Sequence, residues 1–377
     1  MPFDLASASE TVAAVAAEHA VRTDAEGRYP TEFMEACRSA GLLGLVSSKD
    51  VGGLGGGLRQ AAQVVERVAR ECGSSAMVLT MHYCGSTVIE AHGALATRRE
   101  VAAGRHVSTL AFSESGSRSH FWAPLSTARV DGDVAVLDAK KSWVTTAQAA
   151  DSYVWSSRPA SGNEASTLWL VPSKTAGIAL DGPFDGIGLR GNDSRPVRAQ
   201  GARVPLSARL GADGAGFGIM MQTVLPTFSV LISSGSVGIA EATVQKTAEH
   251  ASKTEYEHMA SSLADLPTVR AYIARMRIQA DATRTLWADT IEAPEKGRPD
   301  AMLRVLEVKA ATAEAAREIT DTAMPRVRRT LVPQGRRRRA ALPRCARGHD
   351  RGPHLGSTVR LHRQGRVRPA PVLRGAP

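Results

Sequence analysis

Close cysteine pairs, long apolar runs and, near the C-terminal end, acids and aromatics are what this sequence has little of. Its 377 residues include four cysteines, Cys37, Cys72, Cys84 and Cys345, none of them at the short spacing of a metal-ligand pair. That argues against a disulfide framework and for the reduced thiols of a cytoplasmic enzyme. No apolar run approaches the ~20 residues that span a bilayer. The first residues, Met1-Pro2-Phe3-Asp4, lack the basic and apolar regions of a secretory signal, so none is expected. What is present fits a soluble enzyme. The length allows two or three domains, and a hydrophobic content of 43% is ordinary for a globular chain.

The net charge of +10 misleads. Fifteen of the 47 basic residues, but only one of the 37 acids (Asp350), fall between Pro325 and Pro377. The body before Pro325 therefore carries 32 basic and 36 acidic residues and is mildly acidic.

Residues 1–107 read as helical. Ala6 to Val21 is rich in Ala, Val and Glu. Thr31 is placed to N-cap a helix from Glu32 to Ala40 that stops at Gly41. Leu58 to Cys72 has apolar residues at helical spacing. Ala76 to Ala91 is apolar on several faces, which predicts burial among other helices. His82, alone on that helix, reads as a structural residue. Over 108–210 the period changes. Ala128 to Val136 is two strands around Asp131-Gly132, a strong hairpin signal, and Tyr153–Trp155 and Thr167–Val171 read as buried strands. From 211 the helical period returns. Ile273, Met276, Ala280, Thr283 and Trp287 step by three and four, as do Val305, Val308, Thr312, Ala315 and Ile319. Pro294 and Gly297 mark the turn between these two helices. With the helix through Gly235 and Gly238 they make three members of a bundle over 211–324 whose fourth helix is missing.

Two stretches carry the chemistry. Leu110-Ala111-Phe112-Ser113-Glu114-Ser115-Gly116-Ser117-Arg118-Ser119 is a hydroxyl-rich turn that can bring backbone N–H groups close to a ligand. Lys141-Ser142-Trp143-Val144-Thr145-Thr146 is a strand with one flat indole among short polar residues. Ser113-Glu114, then Ser119, then Trp143-Val144-Thr145 resembles the two flavin-contact segments of the acyl-CoA dehydrogenase family. Gly41-Leu42-Leu43-Gly44-Leu45, Leu189-Arg190-Gly191-Asn192-Asp193-Ser194 and Gly235-Ser236-Val237-Gly238 resemble other stretches of that family, in its order and spacing, across residues 1–324. The resemblance implies an α+β multi-domain fold with an N-terminal helical domain, a central β-barrel-like domain and an incomplete C-terminal helical bundle. It implies FAD as cofactor, with Leu110, Ser113, Trp143 and Thr145 at the flavin and Ser119 toward the substrate. It further implies an acyl-CoA or related thioester oxidised at a CH–CH bond, in a homo-oligomer, with no membrane partner.

The sequence departs from the family at the catalytic base. In the family a carboxylate removes the α-proton from the substrate face opposite the flavin. One of its two positions falls on Phe228 and Ser229 here, and the other near the C-terminus, where this chain has only the basic segment. Glu241 reads as an exposed helix residue. Thr254 to His258 lacks the family's Arg and Phe-Gly, and Lys253 reads as a surface lysine. Arg118 and His120 replace the usual Gly and Asp. The missing base keeps two alternatives open: a flavin monooxygenase on the same fold, served by His82 and His120, and a non-catalytic partner subunit.

Residues 325–377, with Arg336-Arg337-Arg338-Arg339 and repeated Pro and Gly, show neither helical nor strand period. As native sequence they read as a disordered arm suited to acidic surfaces or nucleic acid, though without aromatics for base stacking. They also match what GC-rich codons give out of frame. Read with a one-base slip near Met324, they permit a Gly-Gly pair and an Arg-Asp step like those that end the family.

Overall fold

The computed structural model describes residues 3–117, 120–184, 186–256 and 261–323. Five helices come first: α1 (Leu5–Glu26), α2 (Thr31–Ser39), α3 (Leu58–Ala69), α4 (Gly73–His92) and α5 (Leu95–Ala102). The Asp4 carboxylate caps α1 by accepting the Ala6 and Ser7 N–H groups at 3.0 and 3.2 Å. Thr31 is the first residue of α2 and not its cap, and no side chain caps that helix. Gly41, at φ 72°, lets the chain turn after α2. As its composition predicts, α4 is buried on every face along most of its length.

His82, fully buried on α4, has a structural role. Its Nε2 lies 2.9 Å from the Leu43 carbonyl and its Nδ1 3.4 Å from the Ser108 N–H. Burial lowers its pKa from 6.5 to about 4. The unfolded chain therefore binds this proton more readily. The contribution of neutral His82 to stability is full above its unfolded value of 6.5 and fades as pH falls toward 4. Urea unfolding at pH 7 and pH 5 should show a loss of about 2 kcal/mol from this group. His82→Gln should flatten that difference, and an equal pH dependence in the variant would refute the assignment.

Eight strands follow: β1 (Ser108–Ala111), β2 (Thr127–Asp131), β3 (Val134–Val144), β4 (Ser152–Ser157), β5 (Thr167–Pro172), β6 (Ile178–Leu180), β7 (Arg195–Pro205) and β8 (Arg209–Leu210). They form two four-stranded sheets, ordered β1-β4-β5-β8 and β2-β3-β7-β6. The predicted hairpin is β2–β3. Asp131 pairs with Val134, so the turn is Gly132-Asp133, one residue later than the sequence placed it. β1 runs parallel to β4, a pairing that strand patterns alone do not reveal. Trp155, Trp169 and Val171 of the first sheet and Leu137, Val197 and Val204 of the second share one core. β4 is buried on both faces because α4 also packs against this sheet.

The chain then becomes one long helix, Gly216–Lys253. It comprises α6 (Gly216–Ile219), a wider π turn (Met220–Val224) and α7 (Leu225–Lys253). Pro226 offers no N–H and crowds the carbonyl one turn back, which accounts for the widened turn just before it. A short pairing of β9 (Glu255–Tyr256) with β10 (Ser261–Ser262) leads to α8 (Pro267–Glu295) and α9 (Ala301–Thr322). Met276, Ala280, Thr283 and Trp287 of α8 and Val305, Val308, Thr312, Ala315 and Ile319 of α9 are buried, on the faces their spacing predicts. Gly238 lets α7 approach α3, since a Cβ there would lie 2.3 Å from the Glu66 carbonyl oxygen. By length and composition Gly216–Lys253 could cross a membrane, but 61% of its apolar window is buried inside the protein, as in a core helix. The missing fourth helix and the basic segment concern residues 324–377, outside the described residues.

Candidate functional site

β1 ends at Ala111, and the chain crosses to the end of β3. The Ser142 N–H donates to the Ser113 carbonyl at 2.8 Å, and Glu114 and Lys141 bridge the two backbones. The two stretches singled out in the sequence are therefore in contact. Leu110, on β1, is 7% exposed.

Beneath this contact lies a buried ion pair. Lys141 is 1% exposed. Its Nζ binds Glu114 Oε1 and donates to the Ser156 carbonyl at 2.6 Å and to Ser156 Oγ at 2.9 Å, and it lies 5.1 Å from the Trp155 ring centroid. Glu114 also accepts from the Ser126 N–H at 3.0 Å and from the Leu125 N–H. Burial lowers the Lys141 pKa to about 8, against the pull of Glu114. Burial pushes Glu114 up, but the Lys141 charge and the hydrogen bonds outweigh it and hold the carboxyl below its usual range.

Above the pair, β3 slips register against β7 between Lys141 and Val144. A bulge re-aims a side chain, and here the side chain is Trp143. Its φ is 56°, its side chain leaves it 46% exposed, and its ring stacks on Phe184 with centroids 4.0 Å apart and planes at 23°. The non-glycine residues with positive φ, among the described residues, are Trp143, Thr146, Leu189 and Asp193. All four lie in this corner. The Thr146 N–H donates to the Asn192 carbonyl at 2.9 Å, and the Ala147 N–H to the Asp193 carbonyl at 3.1 Å. The Asp193 carboxylate accepts the Gln148 N–H at 2.7 Å. Thr145 is 6% exposed, with its hydroxyl 3.0 Å from Ser194 Oγ. Such backbone costs of order 1–3 kcal/mol per residue and persists only where the surroundings over-determine it.

The corner fits a flat ring with polar edges. Trp143 presents an open aromatic face, and the Thr146 Oγ1 is buried with no hydrogen-bond partner among the described residues. Asn192-Asp193 hinted at the strain, because short polar side chains tolerate left-handed backbone. Nothing in the sequence marked Trp143, Thr146 or Leu189 as strained.

Other expectations fare differently. Ser119, Arg118 and His258 lie outside the described residues. His120 is exposed, with its ring 5.0 Å from Trp122. His82, with both ring nitrogens engaged inside the fold, is not available to serve a flavin hydroperoxide. Glu241 is not an exposed helix residue. Its side chain is 19% exposed and takes Arg277 on both oxygens, at 2.7 and 3.0 Å, with Arg284 at 3.4 Å. That interhelical pairing lowers its pKa, mainly through the Arg277 hydrogen bond, and makes it a poor base. Lys253 is exposed, as expected. Phe228 and Ser229 open α7, and Phe228 carries Lys309 Nζ 5.3 Å from its ring centroid. Among the described residues no cluster of His, Cys, Asp and Glu could hold a metal. Cys37, Cys72 and Cys84 are buried free thiols.

Three family models match in succession: the acyl-CoA dehydrogenase N-terminal domain over residues 5–104, the middle domain over 109–202 and the C-terminal domain over 214–326. The chain belongs to the acyl-CoA dehydrogenase family. It is thus an oxidoreductase of a flavoprotein family, and its helical, β and helical architecture is that family's fold. It is 28% identical over 314 residues to the mitochondrial short-chain specific acyl-CoA dehydrogenase of Bos taurus, covering 81% of this chain and 75% of that one. Butyryl-CoA dehydrogenase from Megasphaera elsdenii superposes with a TM-score of 0.82 at 19% identity, covering 96% of this chain and 98% of that chain. FMN-bound TdsC from Paenibacillus sp. A11-2 has the same fold, with a TM-score of 0.79 at 18% identity and coverage of 94% and 95%.

Proposed function

We propose that this acyl-CoA dehydrogenase family member binds FAD in the corner between Ser113 and Trp143 and acts on the CH–CH bond of an acyl thioester, as a cytoplasmic homo-oligomer. The observation that carries the reading is the clustering of the four strained residues around an outward-facing Trp143. That strain fixes an aromatic platform in the open, where apolar burial alone would not keep it. Leu110 borders the cofactor from β1, Ser113 holds its segment to Ser142, Trp143 stacks on the ring, and Thr145, braced by Ser194, meets a polar edge. Bound FAD supplies the two-electron acceptor. Ser119 is assigned to the substrate side, and the domain boundaries to 107/108 and 210/211.

A second reading, a flavin monooxygenase on this fold, is favoured by one observation. Positions 228 and 229 hold Phe and Ser, so no carboxylate stands ready there to remove an α-proton. Of His82 and His120, only His120 is exposed.

Purified protein should be yellow or take up added FAD. Trp143→Ala removes a stacking partner worth about 0.5–1.5 kcal/mol beyond burial and should weaken FAD binding several-fold, with Trp143→Phe in between. Unchanged FAD affinity in Trp143→Ala would remove Trp143 from the site. Anaerobic titration then separates the chemistries: reduction by an acyl-CoA supports the dehydrogenase, and reduction only by externally supplied reduced flavin supports the monooxygenase.

A further inference from the structure

Among the described residues, Lys309 stands apart from the other half-buried cations of the helical bundle. Arg284 pairs with Glu66, Arg277 with Glu241 and Asp281, and Arg298 with Asp289 and Asp300. Lys309, on α9 next to the fully buried Val308, has no carboxylate or hydrogen-bond acceptor in range among the described residues. What it has is the face of Phe228, 5.3 Å from its Nζ, a contact that offsets only part of the cost of desolvating an ammonium. Burial accordingly lowers its pKa. One residue on from Phe228, the Ser229 hydroxyl is fully enclosed and also lacks a partner among the described residues. An unpaired cation and an orphaned hydroxyl thus adjoin one turn of α7, just after the π segment. Phe228, Met221 and Trp122 all pack, partly buried, on the core cluster that also holds Leu110, Phe112 and Val308. The same apolar body therefore joins the candidate flavin segment to the neighbourhood of Lys309.

We propose that Lys309 is a specificity-determining residue that selects acyl thioesters whose short acyl chain itself carries a carboxylate. The inference rests on the acyl-thioester reading above, together with the resemblance that puts one of the family's α-proton base positions at Phe228 and Ser229. The substrate carboxylate supplies the counter-charge that the protein withholds, so the ammonium and its partner meet only in the complex. A charge-assisted hydrogen bond in a partly dry site favours the charged acyl group over its methyl-ended counterpart. The Phe228 ring, too bulky and apolar to bind the anion, holds the ammonium in place.

The test uses the full-length, FAD-loaded protein and two four-carbon probes, butyryl-CoA and succinyl-CoA. Binding is read by calorimetry and by perturbation of the flavin absorbance. Wild type should bind succinyl-CoA about tenfold or more tightly over butyryl-CoA. Lys309→Met should bring that ratio to about one while leaving butyryl-CoA binding and flavin content within a few-fold of wild type. Lys309→Arg should keep part of the preference, and it holds the question open to test if the methionine variant folds poorly. A preference that survives in Lys309→Met, or a wild type that favours butyryl-CoA, overturns the proposal. If flavin is bound but neither thioester is, the acyl-thioester reading falls and this assignment falls with it.

Discussion

Lys141→Met should destabilise the protein by about 3–5 kcal/mol, because it strips a buried carboxylate of its cation. Glu114 is 6% exposed and would keep the Leu125 and Ser126 N–H donors, but those do not cancel its charge. The carboxyl would then take up a proton, or water would reach the sheet interior. The Ser156 carbonyl would lose the Lys141 ammonium and keep only the Ser126 hydroxyl, at 2.8 Å, as a side-chain donor. Replacing both partners removes the stranded charge, so Lys141→Met with Glu114→Gln should be less damaging than Lys141→Met alone. That non-additivity is the signature of a coupled pair. The loss also reaches the site, since the pair ties the Ser113 segment to the bulge that carries Trp143. FAD affinity should fall in the single variant even below its unfolding temperature. Urea unfolding of the three variants, with FAD titration at low temperature, checks both parts. A single variant within 1 kcal/mol of wild type would show that the pair contributes little.

The pair also shows how far the sequence could be read. Glu114 and Lys141 sit in the two stretches that carry the chemistry, yet nothing local marks them as an ion pair. A lone Glu in a serine-rich turn and a Lys before a strand both look solvated. The antiparallel bridge between Glu114 and Lys141 brings them face to face, and a pairing across some thirty residues leaves no local signal. What was legible follows from periodicity. The spacing of Met276, Ala280 and Trp287 put one face of α8 into the core, and the apolar run of α4 forecast a helix buried all round. The Asp-Gly hairpin was placed within one residue. The strained corner was not legible, because the positive φ at Trp143 goes with a bulge and that at Thr146 with hydrogen bonds to Asn192 and from Ala147 to Asp193, some fifty residues away. Glu241 was misread for a related reason. Its partners Arg277 and Arg284 lie on another helix, so it looked free in its own.

Phe228→Glu should raise acyl-CoA-dependent bleaching of the bound flavin by about 10²–10⁴-fold, the usual contribution of a well-placed general base. The wild-type chain offers an aromatic ring at that position, and the adjacent Ser229 is enclosed and uncharged. A carboxylate introduced there would lie beside Lys309, whose Nζ already sits 5.3 Å from the present ring centroid. The ammonium would hold the new carboxylate ionised, which lowers its pKa. The rate should therefore stay nearly flat from neutral pH downward and fall only below the ordinary carboxylate range. Adding Lys309→Met removes that support and leaves the carboxylate desolvated, so its pKa rises and the rate should begin to fall at higher pH. The two profiles, taken with flavin content and with exchange of the α-proton in heavy water, separate base placement from damage to the fold. If the Phe228→Glu protein keeps its FAD and neither bleaches faster nor exchanges the α-proton, position 228 does not face the reacting carbon, and the monooxygenase reading of the site gains the ground.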